Sequence, residues 1–100
     1  MTDYIVELAP EAEQDIASAF AWYEEYSVVS AENWRAKIFE AIDYVGRSPL
    51  RQKSDDEGNR FWRVAKTRHS IVYEVNDSTV TVLAVAHHRR DPDYWRNERE

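Results

Sequence analysis

The chain has 100 residues, of which 43% are hydrophobic and 32% charged, with 2 glycines and 3 prolines. This composition indicates one packed globular domain spanning residues 1–100, and it excludes collagen-like and disordered classes. Cysteine is absent, which excludes disulfides, thiolate metal sites and a cysteine nucleophile.

The charge is unevenly distributed along the chain. The formal net charge of −6 argues against unspecific binding of nucleic acid. Residues 1–59 hold 5 Lys/Arg against 13 Asp/Glu, whereas residues 60–100 hold 8 against 6. The first twenty residues contain no Lys or Arg, unlike a secretory leader, and no apolar stretch reaches membrane-spanning length. We therefore expect a soluble, cytoplasmic protein with a basic C-terminal part.

The first predicted elements are a strand and two helices. Residues 4–8 alternate in polarity and include the β-branched Ile5 and Val6, which predicts a strand. Pro10 suits the first turn of a following helix. Apolar residues at three- and four-residue spacing predict an amphipathic helix over 11–26. A second helix is predicted to begin after Ser30 as its N-cap and to stop at Gly46. The short connection between the helices predicts an antiparallel hairpin packed against a sheet.

The second half of the chain predicts a loop and three strands. Residues 47–59 lack periodicity and read as a surface loop. Strands are expected over residues 60–66, 70–76 and 79–87, separated by short polar turns. The predicted fold class is α+β: strand-helix-helix-strand-strand-strand, with the helical hairpin on one face of a mostly antiparallel sheet.

Hairpin register predicts which basic residues meet. If Asn76 pairs with Thr79, the same register places His87 opposite Arg68. A tight turn in the preceding hairpin would place Lys66 opposite His69. A basic rim would then form at one end of the sheet. Its members would be Lys66, Arg68, His69, His87, His88, Arg89 and Arg90.

The basic rim contains the side chains needed for RNA phosphodiester cleavage. Histidine can act as a general acid or base near neutrality, and arginine can stabilise a phosphate in the transition state of RNA cleavage. His87 and His88 should point to opposite faces of the sheet, so they are not expected to act as a pair. The alternative to a catalytic role is that each histidine lies in solvent at the end of a strand or pairs with Asp91, Asp93 or the acidic loop. Arg63 would then point outward from its strand beside a carboxylate.

The aromatic residues also leave alternatives open. Tyr94 and Trp95 would stack on bases or on a partner surface, or would form a C-terminal clasp on the core. The other aromatic residues that we considered are expected in the core or at a helix interface, namely Trp22, Tyr23, Trp34, Phe39 and Trp62. No phosphate-binding glycine loop, nucleophile elbow or metal-binding histidine spacing occurs, so we expect no cofactor and no metal site.

The order of elements and several motifs resemble the RelE/ParE superfamily of bacterial toxins. The similarity rests on residues 63–75 (RVAKTRHSIVYEV) and 80–87 (VTVLAVAH), on LAPEAEQDI after the first strand, and on Ser48-Pro49 after the second helix. It covers nearly the whole chain. The resemblance implies the toxin of a type II toxin–antitoxin pair, bound and neutralised by a cognate antitoxin in a hetero-oligomer.

Within this superfamily, the resemblance implies one of two activities. ParE-like members inhibit DNA gyrase, whereas RelE-like members are metal-independent endoribonucleases that cut messenger RNA on the ribosome. The position after Val64, where RelE-like enzymes carry an arginine, holds Ala65, and the strand motifs look closer to ParE. Gyrase inhibition is therefore favoured, with Arg68, Arg89, Arg90 and Tyr94 as target-binding residues. In the ribonuclease alternative His87, His88 and Arg63 would be catalytic, and a third possibility is an inactive binding module.

Overall fold

The computed structural model describes residues 3–89. Its elements are β1 (Ile5–Leu8), α1 (Pro10–Glu24), α2 (Val28–Arg47), a short 3-10 helix (Pro49–Arg51), β2 (Asn59–Arg63), β3 (His69–Asn76) and β4 (Thr79–His87). The strands form one sheet in the order β1-β4-β3-β2, in which β1 runs parallel to β4 and the other pairs are antiparallel. The predicted α+β class and order of elements are confirmed.

The helical hairpin and the sheet share one main core. Helix α2 buries a stripe at three- and four-residue spacing, which packs with residues of α1 and of the strands. Tyr73 in β3 is fully buried, and its hydroxyl donates to the carbonyl oxygen of Pro49 at 3.0 Å. The largest fully buried side chains are Tyr73, Ile38, Ile71, Leu83, Val45, Val72, Val80 and Val82.

Helix α2 begins and ends differently from the prediction. Its N-cap is Ser27 and not Ser30, because the Ser27 side chain accepts a hydrogen bond from the backbone N–H of Ser30 at 3.2 Å. Gly46 lies inside the helix, which ends at Arg47. A Cβ on Gly46 would lie 2.5 Å from Cγ2 of Val6, so the glycine permits the close approach of α2 to β1.

The register between β3 and β4 differs from the prediction by one residue. Asn76 pairs with Thr79 as expected, but His87 pairs with His69 and not with Arg68. The register shifts between Val72 and Tyr73, where Leu83 of β4 has no pairing partner in β3. This β-bulge brings two histidines side by side at the end of the sheet.

The turn between β2 and β3 is longer than predicted. β2 ends at Arg63, which pairs with Ser70, and Lys66 lies in the turn with φ 62° and not opposite His69. Thr67 organises this turn, since its hydroxyl donates to the carbonyl oxygen of Val64 at 2.9 Å and accepts from the backbone N–H of His69 at 3.1 Å.

Candidate functional site: a cleft between α1 and the end of the sheet

A cleft of about 730 Å³ lies between α1 and the ends of β3 and β4. One wall is the α1 surface, and the other is formed by the last residues of β4 and the start of β3. Its volume is in the range of small-molecule sites. The residues that line it are Asp15, Ser18, Ala19, Trp22, Tyr23, Arg68, His69, His87 and Arg89.

His69 forms the buried end of the cleft. Only 4% of the residue is exposed, and its Nδ1 accepts a hydrogen bond from the indole N–H of Trp34 at 3.2 Å. In the neutral ring the proton is therefore carried by Nε2. Burial lowers the pKa of His69 to about 4, with a further contribution from the neighbouring His87 and His88. His69 is accordingly a neutral hydrogen-bonding group at pH 7.

His87 lies beside His69 at the wider part of the cleft. The two imidazole centroids are 5.0 Å apart and nearly perpendicular. The Nδ1 of His87 accepts a hydrogen bond from the backbone N–H of Arg89 at 3.0 Å, which leaves Nε2 to carry the proton of the neutral ring. Burial lowers the pKa of His87, and His88, Arg89 and Arg68 lower it further by repulsion.

His88 lies on the other side of the sheet, as the alternation of strand residues predicts. Its Nε2 is 3.1 Å from the hydroxyl of Ser70, whose cross-strand partner in β2 is Arg63. Ser70 and Arg63 share a face because directly paired residues project to the same side. The structure therefore places His87 in the cleft and separates it from His88 and Arg63.

Asp15 hydrogen-bonds α1 to β4, the strand that carries His87. One carboxylate oxygen accepts a hydrogen bond from the backbone N–H of Val85 at 3.0 Å. Val85 lies beyond Val82, the last β4 residue that pairs with β1. The carboxylate therefore supplies an acceptor where the neighbouring strand has ended, and it fixes the distance between the two walls of the cleft.

The predicted target-binding residues fall into two groups. Arg68 and Arg89 are both exposed, and both border the cleft. The backbone N–H of His88 donates to the carbonyl oxygen of Arg68 at 2.9 Å, which holds the turns that carry the two arginines together. Arg90 and Tyr94 lie outside the described residues, as does Trp95.

Sequence reasoning placed His69 only in the basic rim and did not single out Asp15, although the sequence pattern carries a signal for the role of each. His69 precedes Ile71 and Tyr73 at two-residue spacing, so alternation along β3 directs it to the core. Asp15 lies three residues after Ala12 and four before Ala19, on the apolar stripe of α1. A lone carboxylate on such a stripe indicates a specific acceptor role.

The expectation that every considered aromatic residue lies in the core or at a helix interface was wrong for some of them. Trp34 is buried, and Trp62 packs on Tyr44 of α2 with ring centroids 4.7 Å apart. Trp22 is 55% exposed, however, and Phe39 is 42% exposed. Trp22 instead forms part of the cleft wall.

No helix within residues 3–89 combines the length and the hydropathy needed to cross a lipid bilayer.

Comparison with known proteins identifies the family. The chain shows no match to curated protein sequences. Its fold matches the solved structure "Chromosomal ParDE TA system from P. aeruginosa" with a TM-score of 0.77 at 13% sequence identity, over 85% of this chain and 96% of that one. Residues 6–92 match the family described as the ParE toxin of the type II toxin–antitoxin system parDE. The chain therefore belongs to the ParE family of type II toxins.

Proposed function

We propose that this toxin arrests growth by inhibiting DNA gyrase, and that a cognate antitoxin neutralises it in a cytoplasmic hetero-oligomer. The observation that carries the proposal is the basic end of the sheet, which we define as Arg68, His87 and Arg89. These residues meet at one end of a protein whose net charge is −6. A compact basic area on an acidic protein favours one oriented protein partner over a long polyanion.

The arrangement of the histidines supports binding over catalysis. Cleavage of a phosphodiester by acid and base requires both groups within hydrogen-bond reach of the same reacting atoms. His87 lies in the cleft beside His69, but His69 is only 4% exposed and its Nδ1 already accepts from the indole N–H of Trp34. His88 contacts Ser70 on the other side of the sheet. The pKa of His87 is lowered by burial and by the neighbouring His88, Arg89 and Arg68, which disfavours the cationic ring that a general acid requires.

One observation favours the second candidate, a ribosome-dependent endoribonuclease. Arg63, Ser70 and His88 form a row on the face away from the cleft, which combines a cation, a hydroxyl and an imidazole. This row would hold a phosphate without His87. Primer extension on translated messages after induction would reveal new cuts, and their loss in His88→Ala but not in His87→Ala would assign the row as the catalytic site.

Induction in cells separates the candidates. Expression of the chain alone is expected to arrest growth, and co-expression of its cognate antitoxin is expected to restore growth. Plasmid extracted during the arrest should be relaxed, while messenger RNA shows no new ends. Arrest without a change in plasmid topology would contradict gyrase inhibition, and the absence of arrest would indicate an inactive binding module.

A matched pair of variants connects the arrest to the basic end. Arg68→Glu with Arg89→Glu reverses two exposed charges at the cleft and is expected to abolish arrest. Arg47→Glu is the control, since Arg47 lies at the end of α2 in an exposed ion pair with Asp43. Equal loss of arrest in both variants would mean that net charge, and not the basic end, is responsible.

A further inference from the structure

The cleft joins an aromatic surface and a cationic surface. Its α1 wall carries the exposed indole of Trp22, and its opposite wall carries the guanidinium groups of Arg68 and Arg89. We propose that this cleft binds a mononucleotide, with the base on the face of Trp22 and the phosphate between Arg68 and Arg89. This goes beyond gyrase inhibition and does not depend on it.

The aromatic wall is held in place before any ligand arrives. Trp22 contacts the rings of Tyr23 and Tyr26, each with centroids 5.0 Å apart. Tyr23 in turn stacks on the buried Trp34 at 5.6 Å. Trp22 nevertheless keeps 55% of its surface exposed. An aromatic side chain that is fixed by neighbours and still open to solvent can stack on a base with little loss of conformational entropy.

The opposite wall offers donors for an anion. Within residues 3–89, neither Arg68 nor Arg89 forms an ion pair with a carboxylate. His87 adds a ring donor, because its Nδ1 is occupied by the backbone N–H of Arg89 and its Nε2 carries the proton. Two guanidinium groups and an imidazole N–H are well suited to phosphate oxygens.

Size and charge favour a small nucleotide over a long strand. The cleft volume of about 730 Å³ accommodates one nucleotide. The net charge of −6 opposes the approach of a polyanion along the rest of the surface. A free mononucleotide and a single nucleotide at the end of a strand present the same base and phosphate, so the two sources must be separated by experiment.

Calorimetric titration of the purified protein tests the proposal directly. We expect saturable binding of AMP. Adenosine and inorganic phosphate should each bind at least tenfold more weakly, because adenosine contacts only the aromatic wall and phosphate only the cationic wall. The dinucleotide pApA, which carries one more phosphate than AMP, distinguishes the sources. Affinity equal to that of AMP indicates a free nucleotide, whereas affinity more than tenfold higher indicates a nucleotide within a single strand.

Matched variants locate the binding. Trp22→Leu is expected to weaken AMP binding at least fivefold, as are Arg68→Gln and Arg89→Gln. Phe39→Leu and Arg47→Gln change an exposed aromatic residue and an exposed arginine elsewhere and should bind like the parent. All five side chains are exposed, and unchanged circular dichroism will show that each variant is folded.

Three results would overturn the proposal. They are the absence of saturable AMP binding, phosphate binding as tight as AMP, and equal weakening by Trp22→Leu and Phe39→Leu. None of these results depends on gyrase. Inhibition of supercoiling without AMP binding would remove this inference and leave the proposed function in place.

Discussion

The indole N–H of Trp34 in α2 donates to Nδ1 of His69 in β3 at 3.2 Å, and both residues are at most 4% exposed. This hydrogen bond is a polar link between α2 and the end of the sheet, and it requires an unprotonated Nδ1 on the imidazole. Protonation of Nδ1 would remove the acceptor and place a cation in a buried position.

The stability of the protein should therefore fall as the solution becomes acidic. Above pH 6.5 His69 is mainly neutral in both the folded and the unfolded state, so its titration does not change the free energy of unfolding. Between pH 6.5 and about 4 the unfolded chain binds a proton that the folded protein excludes, and the free energy of unfolding decreases. Between pH 7.5 and 5.0 the expected decrease from His69 is about 2 kcal/mol.

Urea unfolding at these two pH values measures the effect. His69→Gln keeps an acceptor for Trp34 and should show a smaller decrease; the remainder includes His87, whose pKa is lowered in the same direction. His88→Gln is the control at an exposed neighbour. A decrease in His69→Gln as large as in the parent would remove His69 as its source.

Gly46→Ala should destabilise the protein at the contact between α2 and β1. The added Cβ would lie 2.5 Å from Cγ2 of Val6, so the side chain of Val6, the strand or the helix must shift. We expect a loss of about 1–3 kcal/mol in the free energy of unfolding. The double variant Gly46→Ala with Val6→Ala should recover part of this loss, because the opposing methyl group is absent. A purely additive double variant would contradict a steric origin.

Asp15→Ala should weaken the attachment of α1 to β4. The backbone N–H of Val85 would lose its acceptor in a partly buried place, at a cost of about 1–3 kcal/mol. Ser18→Ala, one turn along the same helix wall, should change stability little, since within residues 3–89 its hydroxyl hydrogen-bonds only the exposed side chain of Gln14. Thermal unfolding of the two variants beside the parent measures the difference, and equal midpoints for both variants would contradict the role of Asp15.

Deletion of one charge at the basic end should weaken gyrase inhibition without changing the fold. Arg68→Gln and Arg89→Gln are each expected to require about tenfold more protein for half-maximal inhibition, which corresponds to about 1.4 kcal/mol of binding free energy. Arg47→Gln should match the parent protein. Circular dichroism and unfolding midpoints should be unchanged in all three, and an unaltered inhibition curve for Arg89→Gln would contradict its assignment as a contact.

Local patterns in the sequence predicted most of the fold. Apolar periodicity located both helices, and alternation located β1, β3 and β4. The Asn76–Thr79 pair followed from turn residues, because a two-residue hairpin fixes its own register. The opposite placement of His87 and His88 also followed from alternation.

Two of the errors arose where tertiary contacts decided the geometry. The β-bulge at Leu83 shifts the register of β3 and β4, and nothing in the local alternation marks the residue that is skipped. The pairing of His87 with His69 was missed for this reason, and with it the contact between the two imidazole rings in the cleft. The exposure of Trp22 depends on how α1 sits against the sheet, which the apolar pattern of the helix does not specify.

Supercoiling of relaxed plasmid by purified gyrase in the presence of the purified toxin is the direct test of gyrase inhibition. Stoichiometric toxin should abolish supercoiling, the Arg68→Glu/Arg89→Glu variant should leave it intact, and addition of the cognate antitoxin should restore it. Undiminished supercoiling at a large molar excess of folded toxin would contradict the account.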